Sequence, residues 1–184
     1  MIASINLPFI DLMASATAQD EPVLQRALTL STSPVSPNLP PGKFVDATVA
    51  LLVRVESSCP IYDFVFALRL ARKNHTGSPE SGEHLEAQGW EFDGGRLMIG
   101  TEDGEMLRDR IEWFDFSYSA YPIGYLDDGL EIAIPSIPAG RVFDFHFVVA
   151  YNAVDRGDDS EWFAVDIPHG SLAESMPAPA VKWK

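Results

Sequence analysis

Two stretches of this chain alternate apolar and polar residues with a period of two, and that periodicity limits the fold more than any other feature. Val45, Ala47, Val49, Leu51, Val53 and Val55 hold every odd position, while Asp46, Thr48, Arg54 and Glu56 lie between them. Phe143, Phe145, Phe147, Val149 and Tyr151 repeat the pattern around Asp144 and His146. Successive side chains of a strand point to opposite faces, whereas a helix brings every third or fourth residue to one face, so both stretches read as strands with a buried side. Their β-branched and aromatic content agrees. Ala50 and Leu52 make the second face of the first stretch partly apolar, as expected of an interior strand.

Shorter strand signals fill much of the remaining chain. Tyr62, Phe64, Phe66, Leu68 and Leu70 alternate after a break at Ser57 to Pro60, which predicts a hairpin with the 45–55 strand. Trp90 and Phe92 lead into a turn at Asp93-Gly94-Gly95, and Arg96 to Gly100 return from it. Ile111 to Tyr118 reads as a strand with Phe114, Phe116 and Tyr118 on one face, Leu130, Ile132 and Ile134 as a short one, and Glu161 to Ile167 as the last. Residues 72–89 are polar and contain glycine, which predicts a long surface loop.

The expected organisation is a β domain over residues 43–168, preceded by an irregular arm and Pro-rich connector (1–42) and followed by a tail (169–184). Within the arm, Asp20 and Pro22 mark the start of a short helix over Glu21 to Leu30. Four prolines between Ser33 and Gly42 exclude regular helix or central strand there. With no long helical period between the strands, the fold class is all-β and mainly antiparallel, a sandwich or related barrel. The turn Ile137-Pro138-Ala139-Gly140-Arg141 entering the aromatic strand resembles the punctuation of immunoglobulin-like β-sandwiches. That resemblance covers about thirty residues and implies a fold, not a function.

Charge narrows the partners. Thirteen Lys and Arg stand against 27 Asp and Glu, a formal charge of −14 in 184 residues. Phosphate is bound by cations that release counterions, so neither nucleic acid nor an anionic membrane is an expected partner, while a basic protein or peptide is. Cys59 is alone, which excludes an intramolecular disulfide and a cysteine zinc cage. Ala16-Thr17-Ala18 resembles a leader cleavage site, but no Lys or Arg precedes it and Asn6, Pro8 and Asp11 interrupt its apolar run. A cytoplasmic protein is expected, and no stretch reaches the ~20 apolar residues of a membrane span.

Chemistry is harder to find. His75, His84, His146 and His169 show no His-x-His or His-x-x-x-His spacing, so only folding could assemble a metal site from them, and no metal or cofactor is expected. Asp144 and His146 share one face of a strand and could orient an imidazole for general-base work, but no Gly-x-Ser-x-Gly nucleophile elbow accompanies them. Acidic turns at Glu102 to Glu105, Asp127-Asp128 and Asp155 to Glu161 lack the spacing of a calcium loop. The Arg156-Gly157-Asp158 tripeptide and the Asn74-His75-Thr76 sequon matter only in an exported chain.

One segment combines binding chemistry. Trp113, Tyr118, Tyr121 and Tyr125 lie close to Asp127 and Asp128. Tyr and Trp offer rigid contact area with a polar handle, and beside carboxylates they suit Lys or Arg. The expectation is a non-catalytic binding or accessory protein that holds a peptide or basic protein on this aromatic-acidic surface, by analogy with toxin antidotes and peptide-chaperoning proteins. The alternatives are an enzyme using Asp144 and His146, and an assembly subunit, a homo-oligomer among its forms, that reaches a neighbour through its proline-rich ends.

Overall fold

The 45–55 and 143–151 alternations become neighbouring strands, β4 (Ala47–Glu56) and β11 (Val142–Asn152), paired antiparallel with Val53 opposite Phe145. The structure is a computed structural model that describes residues 1–71, 76–82, 84–111, 113 and 121–176. It is mostly antiparallel β, in two sheets. One sheet is ordered β1 (Ile2–Asn6), β2 (Asp11–Thr17), β5 (Ile61–Leu70), β10 (Gly129–Ile137) and β9 (Ile123–Leu126). The other is ordered β3 (Leu28–Pro34), β4, β11, β8 (Gly95–Glu102), β7 (Leu85–Phe92) and β6 (Ser78–Gly82).

Both sheets contribute to one core, and aromatic rings join them. Phe66 of β5 lies edge-on to Phe145 of β11 with ring centres 5.2 Å apart, and Phe64 meets Phe143 at 6.2 Å. Edge-to-face geometry places the positive ring edge on the negative face, a gain beyond the area buried. Val49, Leu51, Val53 and Val55 line the β4 side, while Leu68, Leu130, Ile132 and Ile134 line the opposing sheet.

Several expectations need correction. Within residues 1–42, expected as an irregular arm and connector, Ile2 to Pro34 supplies β1, β2 and β3, which pair with the rest of the domain. Their apolar residues alternate only weakly, so the pattern was hidden by short strands and by Thr and Ser in the register. The short helix is present as α1 (Glu21–Ala27), with the Asp20 carboxylate accepting from Val23 N at 3.1 Å. β4 and β5 form no hairpin: they lie in different sheets, so Ser57 to Pro60 is an exposed corner that carries the chain from one sheet to the other. Tyr62 is exposed, because Asp63 at φ 53° breaks the alternation and lets Ile61 take the inner position. The 72–89 loop contains β6 and the start of β7.

Glu161 to Ile167 is not a strand but overlaps α3 (Ser160–Val165), with Glu161, Ala164 and Val165 buried at helical spacing. A short apolar run carries no period that separates strand from buried helix. Part of the expected tail is α4 (His169–Ser175). The expected strand from Ile111 to Tyr118 lies almost wholly outside the described residues; Ile111 itself follows α2 (Gly104–Arg110).

The two C-terminal helices decide where the site forms. Val148 and Ala150 point away from the Phe-lined core, and with Ala50, Leu85, Ala87 and Met98 they make a second apolar face. Ala164 and Val165 of α3 and Leu172 of α4 cover it. Gly100 permits this approach, since a Cβ there would lie 2.7 Å from a Val165 methyl. Truncating Phe145 to Ala removes the ring both sheets share and is expected to cost about 3–5 kcal/mol. A urea unfolding midpoint that falls correspondingly, at unchanged slope, checks this.

Candidate functional site

Two regions bring chemically capable side chains together. The first lies where the polar end of β11 meets α4. His146 follows the outward-facing side of β11, and α4 begins with His169, so the two rings meet with Nδ1 atoms 3.1 Å apart. The Asp144 Oδ1 lies 3.2 Å from His169 Nε2 and 3.0 Å from an Arg110 nitrogen. Arg110, from the last turn of α2, also bridges to both oxygens of Glu102 at the end of β8 and to the Asp144 carbonyl at 2.8 Å. The Thr101 hydroxyl donates to the His146 carbonyl at 2.7 Å.

This cluster is largely removed from water: His146 is 1 % exposed and Glu102 6 %. Burial pushes the His146 imidazole down to about 3, with the positive field of His169 and Arg110 acting the same way, while a hydrogen bond to the Ile167 backbone and the Asp144 charge oppose it. His146 is therefore neutral at pH 7. Asp144 is held below the usual carboxylate range, first by its hydrogen bond from His169, against a desolvation cost. The sequence pairing of Asp144 with His146 thus finds both residues in one cluster, linked through His169. Glu102, Arg110 and His169 were missed as members because they lie on three elements far apart in the chain, with no local spacing to mark them.

The second region is a groove around Phe9. About 610 Å³ in volume, it is lined by the 7–11 turn, by Glu91, Phe92 and Asp93, and by Tyr151. Phe9 stacks on Tyr151 with ring centres 5.0 Å apart and planes within 2°. Asp11, Glu91 and Asp93 supply three carboxylates, and among the described residues none that lines the groove is basic. On the other side of Phe9 a second depression of about 470 Å³ is lined by Pro34, Val35, Pro37, Leu39, Phe44 and Val45, with others. Phe9 and Pro8 border both, so one face offers an apolar half and an acidic-aromatic half.

The residues singled out from sequence are divided among several places. Tyr121 and Tyr125 come together on one carboxylate: the Tyr121 hydroxyl donates to Glu86 Oε1 at 2.8 Å, and Tyr125 donates to the other oxygen. The Tyr121 hydroxyl also accepts from Gly104 N at 2.7 Å. Asp127 and Asp128 form the turn between β9 and β10, but the Asp128 carboxylate is neutralised by Arg69 at 2.7 Å. The Asp127 carbonyl accepts from Trp90 Nε1 at 3.2 Å, tying this turn to the opposite sheet. Trp113 packs on the core with Arg141 5.9 Å above its ring. Tyr118 lies outside the described residues. Phe9, Phe92 and Tyr151 were not expected as a site, since the groove is built from two hairpin turns and a strand end with no shared sequence signal.

The chain matches no protein-family model, no curated protein and no solved structure. No helix among the described residues is long and apolar enough to cross a membrane.

The tyrosine pair yields a direct test. Burial, assisted by Glu86, raises Tyr121 to about 12 and raises Tyr125 as well, although the Gly104 hydrogen bond pulls Tyr121 the other way. Because the folded values exceed the ordinary value of about 10, their contribution is complete below that pH and lost as pH rises through the folded values. Glu86→Gln should shift tyrosinate absorbance to lower pH than in the wild type; an unmoved titration would remove Glu86 from the interaction.

Proposed function

We propose that the protein is a non-catalytic binding or accessory protein that holds a basic peptide or a basic segment of a protein partner. The observation that carries this reading is the groove around Phe9, where three carboxylates and three aromatic rings converge and no described lining residue is basic. Aromatic faces attract cations through the ring quadrupole, and adjacent carboxylates add charge that strengthens in a partly desolvated cleft. The neighbouring apolar depression would take Leu- or Val-type side chains, so the favoured ligand alternates basic and apolar residues. A formal charge of −14 would steer such a partner and make its association depend on salt.

The Tyr121–Glu86–Tyr125 surface fits the same class of partner and is a natural second contact, with Tyr121 53 % exposed. Asp144 and His146 support the enzyme alternative less well, because His146 is fully enclosed and its Nδ1 already faces His169.

The expected behaviour is specific. Fluorescent peptides of equal length, one alternating Lys with Leu and one alternating Glu with Leu, should separate completely in an anisotropy titration. The basic peptide should bind, and more weakly at 200 mM than at 50 mM salt, as screening shortens the reach of the charges. Phe9→Ala should weaken it by about tenfold or more, as for an aromatic anchor at an interface centre. Equal binding of both peptides, or an unaffected Phe9→Ala variant, would contradict the proposal.

A further inference from the structure

We propose that Glu102, His146 and His169 form a binding site for a single Zn²⁺ ion that pins α4 to the outer face of the β4–β11–β8 sheet. One ligand atom from each of these residues lies within 4.8 Å of the other two. Zinc bonds to imidazole nitrogen and carboxylate oxygen at about 2.0–2.2 Å, which puts tetrahedral ligands about 3.3 Å apart. The two Nδ1 atoms already stand at 3.1 Å. The Glu102 carboxylate is the ligand that has to close further.

The surroundings carry the inference beyond proximity. Histidines that bind metal commonly hold their remaining ring N–H on a carboxylate or backbone carbonyl, which fixes the ring and its tautomer. Here the Asp144 carboxylate faces His169 Nε2 at 3.2 Å. The two Nδ1 atoms face each other, and the His169 ring is held from its far side by Asp144. Arg110 spans the Glu102 and Asp144 carboxylates, orienting the ligand and the supporting group together. A carboxylate has lone pairs enough to accept from Arg110 and bind an ion. The ligands come from β8, β11 and α4, so the ion would fasten a seven-residue helix.

Two nitrogens and one oxygen in a compact, mostly buried arrangement select a borderline transition cation. Calcium prefers six to eight oxygens and magnesium a hydrated octahedron, so neither fits. A fourth position remains for water or a small anion at the His169 side, where that ring is 10 % exposed.

The test uses the full-length protein after chelator treatment. Titration with ZnCl₂ alone, followed by native mass spectrometry and calorimetry, should give one ion per chain and a raised melting temperature. CaCl₂ and MgCl₂ should do neither. In the wild type, histidine ring NMR signals of His146 and His169 should shift with Zn²⁺ while that of His84 stays. Asp144→Asn should weaken binding by about 10–100-fold, and His169→Ala should weaken it more, whereas His84→Ala should bind as the wild type does. No binding by the wild type, or perturbation of His84 in place of His146 and His169, would overturn the site. Unchanged affinity in a folded His169→Ala variant would do the same. The wild-type NMR readout stands even if a variant fails to fold.

Discussion

The molecule depends on one strand, β11, being buried on both of its faces. Its inward residues Phe143, Phe145 and Phe147 fill the core between the sheets, and its outward residues Val148 and Ala150 lie under α3 and α4. A strand covered on both sides cannot shift register by one residue without exchanging Phe for small or polar side chains across two packed layers. Burial on two sides therefore specifies the pairing of β11 with β4 and β8, and through them the rest of the sheet.

The same constraint generates the polar cluster. Where β11 carries Asp144 and His146 outward, α4 still closes over the sheet, so polar groups are enclosed and need partners. Arg110, Glu102 and His169 supply them from three other elements. The proposed zinc site follows from that enclosure. The groove around Phe9 has the opposite origin: it lies at an end of the strands, where turns meet and side chains stay accessible to a partner. The polar cluster is thus enclosed beneath α4, while the groove lies open at the surface.

Much of the architecture was legible in the sequence, and the reasons are local. The 45–55 and 143–151 alternations, the Asp93-Gly94 turn and the Asp20 cap all act over a few residues, so their signals survive without tertiary context. The errors arose where tertiary context decides. Ser57 to Pro60 could close a hairpin or lead from one sheet to the other, and residues 161–167 could be strand or helix until α3 packs against Gly100. The candidate sites follow the same rule. Asp144 and His146 were recognisable as a pair because a strand places them on one face. His169 and Glu102 gained meaning only when folding brought them to that face. Tyr121 and Tyr125 meet on Glu86, which comes from a distant strand and carries no local sequence signal for that contact.

Residue-resolved hydrogen exchange tests the central role of β11 most directly. The account predicts that amides from Phe145 to Ala150 exchange only through global unfolding, with a free energy equal to that from chemical denaturation, while the edge strands β1 and β6 open at lower cost. Exchange of the β11 amides ahead of those edges would contradict it.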